Sequence, residues 1–122
     1  MLREVPHISR STKEGPRRCF ADERMQLLVW YEDDGVIHGF ELTYESAKGP
    51  RVVRWLPDGG FLHACVEDAA THPFLDASAI LISCDEPVSA DLPERFRAAS
   101  GGVPAAERDF VAAKLAGRST TY

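Results

Sequence analysis

From Met25 to Val66 the chain alternates apolar and polar residues in runs broken by two strong turn signals, and this pattern restricts its middle to antiparallel hairpins. Asp33-Asp34-Gly35 supplies the first turn, because Asp and Gly tolerate the positive φ that tight turns need. A two-residue Asp34-Gly35 loop sets Tyr31 opposite His38, Val29 opposite Phe40, Leu27 opposite Leu42 and Met25 opposite Tyr44. A one-residue slip would mix the two faces, so the apolar pattern selects this register. The other face then carries Gln26, Leu28, Trp30 and Glu32 against Thr43, Glu41, Gly39 and Ile37, with Trp30 shielding the strand glycine Gly39.

Pro57-Asp58-Gly59-Gly60 marks the second turn. Pairing Leu56 with Phe61 sets Trp55 against Leu62 and Val53 against Ala64 on one face, and Arg54 against His63 and Val52 against Cys65 on the other. Aligning the apolar faces of the two hairpins brings Phe40 beside Trp55 and Leu42 beside Val53. The same register sets Glu41 beside Arg54, an opposite-charge pair that supports it independently. A four-stranded meander results, and Ala79-Ile80-Leu81-Ile82-Ser83 reads as a fifth strand, central or at an edge.

After Pro87 the period changes to that of a helix. Asp91 is placed as N-cap of a first helix, with Pro93 in its first turn, Glu94 at the capping-box position and Gly101-Gly102 as its stop. A second helix is expected from about Pro104 to Ala116, turning Ala106, Phe110 and Ala113 inward, with Val111 and Leu115 as further candidates, and ending at Gly117. The expected fold class is α+β: an antiparallel β-meander of four to five strands with two C-terminal helices packed on one face, the face of Phe40, Leu42, Val53 and Trp55. Residues 1–20 lack apolar periodicity and read as a loosely ordered N-terminal segment, save for a short edge strand at Val5 to Ile8, and residues 21–122 as a single α+β domain.

The net charge of −5 is unevenly spread, since residues 25–89 carry three Lys/Arg against eleven Asp/Glu. A sheet this acidic lacks the basic footprint of nucleic-acid binding, so no nucleic-acid partner is expected. No apolar run is long enough to span a bilayer, and the N-terminus has no apolar signal core. Cys19, Cys65 and Cys84 show no paired spacing, which argues against a disulfide framework or zinc knuckle and points to a reducing, cytoplasmic setting.

Arg17-Arg18-Cys19-Phe20 followed by Asp22, then Leu27-Leu28-Val29-Trp30-Tyr31, Gly39-Phe40-Glu41-Leu42-Thr43-Tyr44 and Gly59-Gly60-Phe61-Leu62-His63, resembles a group of small uncharacterised bacterial proteins. The resemblance covers roughly residues 17–68. The group's pattern continues after the His with an Arg and a Val-Asp-Asp-Gly stretch, where this chain has Cys65-Val66-Glu67-Asp68-Ala69. The resemblance implies a compact bacterial domain and assigns no chemistry.

The polar row Glu41, Arg54 and His63, with Trp30 and Phe61 beside it, is the candidate ligand site on the face away from the helices. A carboxylate, a guanidinium and an imidazole between aromatic walls suit an anionic or aromatic small molecule. A metal at His63 and Cys65 is disfavoured because Arg54 would lie where the cation must go, so no metal and no cofactor is expected. Same-strand residues two apart are too distant to count on for proton transfer, and the other cysteines have no evident base, so no catalytic residue is assigned. The acidic pairs fall at turns without calcium-loop spacing, and the glycine pairs lack a phosphate-cradle context. The outer face was also expected to expose Leu28, Trp30, Ile37, Leu56 and Phe61, more apolar surface than solvent usually meets. That favours a small non-enzymatic domain acting by self-association, as a homodimer, or by protein binding. The alternative is a small-molecule binding protein or enzyme using the same face.

Overall fold

The computed structural model describes residues 1–5, 11–12, 15–46, 49–66, 81–83, 88 and 90–119. The strands are β1 (Arg3–Glu4), β2 (Ser11–Thr12), β3 (Gly15–Ala21), β4 (Met25–Tyr31), β5 (Ile37–Ser46), β6 (Gly49–Leu56), β7 (Gly60–Val66) and β8 (Leu81–Ser83). Helices α1 (Leu92–Ala99) and α2 (Ala105–Ser119) follow, joined by a short 3-10 turn at Ser100–Gly102. All strand pairs are antiparallel, in the order β1-β3-β4-β5-β6-β7-β8, with β2 also paired to β3. The fold is α+β as expected, with more strands than four or five.

The β4–β5–β6 register is the one the sequence selects, from Met25 opposite Tyr44 to Phe40 beside Trp55 and Glu41 beside Arg54. Only the end of the first hairpin differs: a bulge after Trp30 sets Tyr31 opposite Ile37, not His38. The extra residue re-aims the strand end. Ile37 packs against the helix-side core and leaves the outer face to which alternation had assigned it. Gly39 is closely approached. Trp30 is its cross-strand neighbour as expected, and β6 closes in on it as well: Leu56 Cδ2 and the Trp55 carbonyl oxygen each lie 2.6 Å from where a Cβ would stand.

The second hairpin is slipped by one residue. Leu56 pairs with Gly60, Trp55 with Phe61, Arg54 with Leu62 and Val53 with His63. Gly60 adopts φ +66°, which inserts a left-handed residue after Pro57-Asp58-Gly59 and makes a three-residue loop. A period-two pattern converts that slip into a full exchange of faces. Phe61 and His63 turn toward the helices, while Leu62 and Ala64 turn away.

The core lies between the sheet and the helices. It joins Phe20, Leu27, Val29, Phe40, Leu42 and Val53 to Leu92, Phe96, Val103, Val111, Ala112 and Leu115. Helix α1 starts after Asp91 as expected, with Glu94 in its first turn, although the Asp91 side chain makes no capping hydrogen bond. Helix α2 continues past Gly117 to Ser119. Val111 and Leu115 are buried and Phe110 packs against the core as expected, but the face is rotated enough to bury Glu107 and Ala112 and to leave Ala106 and Ala113 exposed.

The first residues take part in this core, and part of the stretch read as loosely ordered is strand. Leu2 is fully buried, its amide donates to the Ala99 carbonyl oxygen at 2.7 Å, and its own carbonyl abuts Gly102. β1 pairs with the end of β3, two residues upstream of the expected edge strand, and β3 pairs along β4 with Cys19 and Phe20 buried. The fifth strand lies at an edge, where Leu81–Ser83 pair with β7, and Ala79 and Ile80 fall outside the described residues.

Close approach at Gly39 yields a stability test. A methyl there meets backbone on one side, so Gly39→Ala should cost about 1–3 kcal/mol by overpacking. Urea unfolding reads this as a lower midpoint at unchanged slope, and an unaltered midpoint would contradict the packing.

Candidate functional site

On the sheet face away from the helices, the middle row runs Cys19, Leu28, Glu41, Arg54, Leu62 across β3 to β7. Strand alternation puts these side chains on one face, and the apolar members at the β3 and β4 positions are buried. The next row, Ala21, Gln26, Thr43, Val52 and Ala64, is largely buried as well. The centre of this face is therefore interior. Exposure begins only toward the end where the β4–β5 and β6–β7 turns lie, at half-buried Trp30, Leu56 and Arg54 and at Leu62, which is 41% exposed.

Of the five residues proposed from the sequence, three are brought together here. Arg54 Nη2 donates to Glu41 Oε2 at 3.4 Å, and Trp30 stands two residue pairs nearer the turns, on the same face. The contact is long and single-pronged, unlike the bidentate fork that makes such pairs strong. Arg54 Nε is buried without a hydrogen-bond partner. Burial pushes the Glu41 carboxyl above its ordinary value, and the neighbouring Arg54 only partly opposes it.

His63 and Phe61 do not belong to this site. The slipped β6–β7 register puts both on the helix side, where Phe61 packs against the core. His63 is buried, with its Nε2 2.8 Å from the Tyr44 hydroxyl and its ring nearly parallel to that of Tyr44. Arg95 of α1 covers the Tyr44 ring at 5.8 Å and donates from Nη2 to the Glu45 carbonyl oxygen, and buried Arg51 is Tyr44's cross-strand neighbour. This polar cluster has no precursor in the sequence reading. The signal for it was Gly60, whose left-handed conformation sets the register.

A second unanticipated network joins the layers near β3. Arg18 grips Glu4 through two nitrogens at 2.8 and 3.0 Å and reaches Glu107 of α2 at 3.1 Å, while the Tyr31 hydroxyl donates to the same Glu107 oxygen at 2.8 Å. Burial first, then the Glu107 carboxylate, raises the Tyr31 hydroxyl above its ordinary pKa, so it stays a donor.

Among the described residues, no group of three or more His, Cys, Asp or Glu side chains is placed to hold a metal ion, and no helix is long and apolar enough to cross a membrane. Cys65 sits in β7 opposite Arg51, while His72 and Cys84 fall outside the described residues. Compared with protein-family models, curated proteins and solved structures, the chain matches none.

Because the Glu41 carboxyl is raised, its contribution to stability is present below the unfolded-state pKa of about 4.3 and is lost as pH rises through the folded-state value. Glu41→Gln removes this dependence. The stability of the native chain relative to Glu41→Gln should thus fall as pH rises above about 4.3 in urea titrations; parallel pH profiles would contradict the assignment.

Proposed function

We propose that this domain has no catalytic role and works by association, with a second copy of itself as partner. The observation that carries this reading is Leu62, a large apolar side chain turned outward by the β6–β7 register and 41% exposed. Half-buried Trp30 and Leu56 extend the apolar surface toward the turns. Aromatic residues beside aliphatic ones in this way are typical of contact surfaces.

The adjoining Glu41–Arg54 pair makes the surface self-complementary. A twofold interface puts the same patch on both subunits, so a row carrying one acid and one base can match Arg54 of one copy to Glu41 of the other. The long, single-pronged 3.4 Å contact leaves Arg54 Nη2 hydrogen-bonding capacity for such an exchange. The apolar area differs from the sequence expectation, since Leu28 is buried and Ile37 and Phe61 face the helices. What supports association is this smaller rim.

A second reading rests on the same guanidinium. An anionic or aromatic small molecule held against Trp30 would use the capacity that the long contact to Glu41 leaves at Arg54 Nη2. This ligand site comprises Trp30, Glu41 and Arg54, without His63 or Phe61. Buried Cys19 and the unpaired cysteine spacing fit a reducing cytoplasm, which is part of the same proposal.

Light scattering coupled to size-exclusion chromatography tests the association. The native chain should run as a dimer at high micromolar concentration, and Leu62→Glu, at an already exposed position, should run as a monomer with little change in thermal stability. A native monomer would remove this reading, as would a Leu62→Glu dimer.

A further inference from the structure

The helix side of the sheet carries a feature that neither proposed surface uses. Trp55 of β6 and Phe110 of α2 meet at an interplanar angle of 70° with centroids 5.5 Å apart, forming two walls of a corner. Phe40 supports Phe110 from behind, edge-on at 6.4 Å. Into this corner the chain inserts its own cation. Lys114 Nζ lies 4.2 Å from the Trp55 centroid and 5.5 Å from that of Phe110. Lys114 forms no ion pair with a described residue, so the ring faces are what hold its charge there. All three side chains are partly exposed.

We propose that the Trp55–Phe110 corner is a binding site for a small quaternary ammonium compound, with Lys114 as its internal competitor. Roughly perpendicular aromatic faces are the arrangement that recognises alkylated ammonium groups. A lysine ammonium is a weak tenant, because it is strongly hydrated and its four-carbon stem must give up rotamer freedom to stay. A quaternary ammonium carries its charge on weakly hydrated methyl groups and loses less on leaving water. The surroundings favour a cation as well. Exposed Glu32, Asp33, Asp34 and Asp58 occupy the two turns at this end of the sheet, and Asp58 follows Trp55 by three residues. That acidic rim selects a plain cation over a ligand bearing its own carboxylate.

Choline titration, followed through the Trp55 indole N–H by NMR with sodium chloride as the ionic-strength control, tests the proposal. The second indole is assigned with Trp30→Phe. In Lys114→Gln the Trp55 signal should move along a saturable curve, with an affinity about two- to thirty-fold tighter than in the native chain, since a cation–π contact is worth about 0.5–2 kcal/mol. Glycine betaine should bind more weakly than choline, and the uncharged isostere 3,3-dimethylbutan-1-ol should leave the signal unmoved. A non-saturating response in Lys114→Gln, equal affinity in the native chain, or equal binding of the uncharged isostere would overturn the proposal. Co-sedimentation with phosphatidylcholine vesicles would overturn its assignment to a free compound, and its absence is expected.

Discussion

Gly60 sets what each face of the sheet can be. Its φ of +66° closes the β6–β7 turn with three residues, and everything on β7 follows from that count. With a two-residue turn, Leu62 and Ala64 would line the core, and His63 would stand in the outer row beside Arg54. With three, the core row reads Phe20, Leu27, Leu42, Val53, His63, so one polar ring enters the interior and must be satisfied there. Tyr44 meets that demand at 2.8 Å. An unpaired buried polar group would cost about 1–3 kcal/mol, so the Tyr44 hydroxyl is a condition of the register.

The helical layer depends on a comparable match. Glu107 is buried on the inward face of α2, a position that would be costly for a lone carboxylate. Arg18 from β3 and Tyr31 from β4 both reach it, and Arg18 at the same time grips Glu4 of β1. One guanidinium thus ties two strands to a helix. With Leu2 anchored on Ala99 and against Gly102, the N-terminal residues also hold the joint between α1 and α2. Rotation of α2 away from Ala106 and Ala113 has the same cause: matching Glu107 to these partners brings Val111, Ala112 and Leu115 inward with it.

The β4–β5–β6 register was legible in the sequence because two independent faces agreed on it. The apolar face aligned Phe40 with Trp55, and the polar face aligned Glu41 with Arg54, so a slip would have violated both. At the β6–β7 hairpin neither face discriminated. Shifting by one residue exchanges Phe61 and His63 for Leu62 and Ala64, an aromatic with an imidazole for two aliphatics, and both sets are tolerable cores. The choice fell to a backbone conformation at Gly60 that composition cannot distinguish from its neighbour Gly59. The His38 bulge was hidden for a similar reason, because an extra residue leaves no mark on alternation at a strand end. β3 was missed since Gly-Pro-Arg-Arg-Cys-Phe-Ala carries little alternation of its own and takes its strand form from pairing with β4. Of the candidate site, Trp30, Glu41 and Arg54 were recoverable because they sit on the well-determined strands; Phe61 and His63 were lost with the slip.

Both proposed surfaces lie at one end of the sheet, and the packing explains why. Toward the other end and the middle, side chains are used up on both faces: Phe20, Leu27, Leu42 and Val53 beneath the helices, Cys19, Leu28, Val52 and Ala64 on the opposite side. A sheet buried on both faces offers no ligand access through its centre. At the turn end the strands outrun their cover, leaving Trp30, Leu56 and Leu62 half-clothed on one face and Trp55 with Phe110 on the other. The turns that close these strands are themselves acidic, at 32–34 and 58, so the exposed aromatics sit within a field that attracts cations and repels anions. Arg54 counters that field on the outer face only. The two faces therefore differ in the charge they can receive: a matched acid and base on the outside, where a copy of the same surface fits, and π density under an acidic rim on the inside, where the chain already keeps a cation.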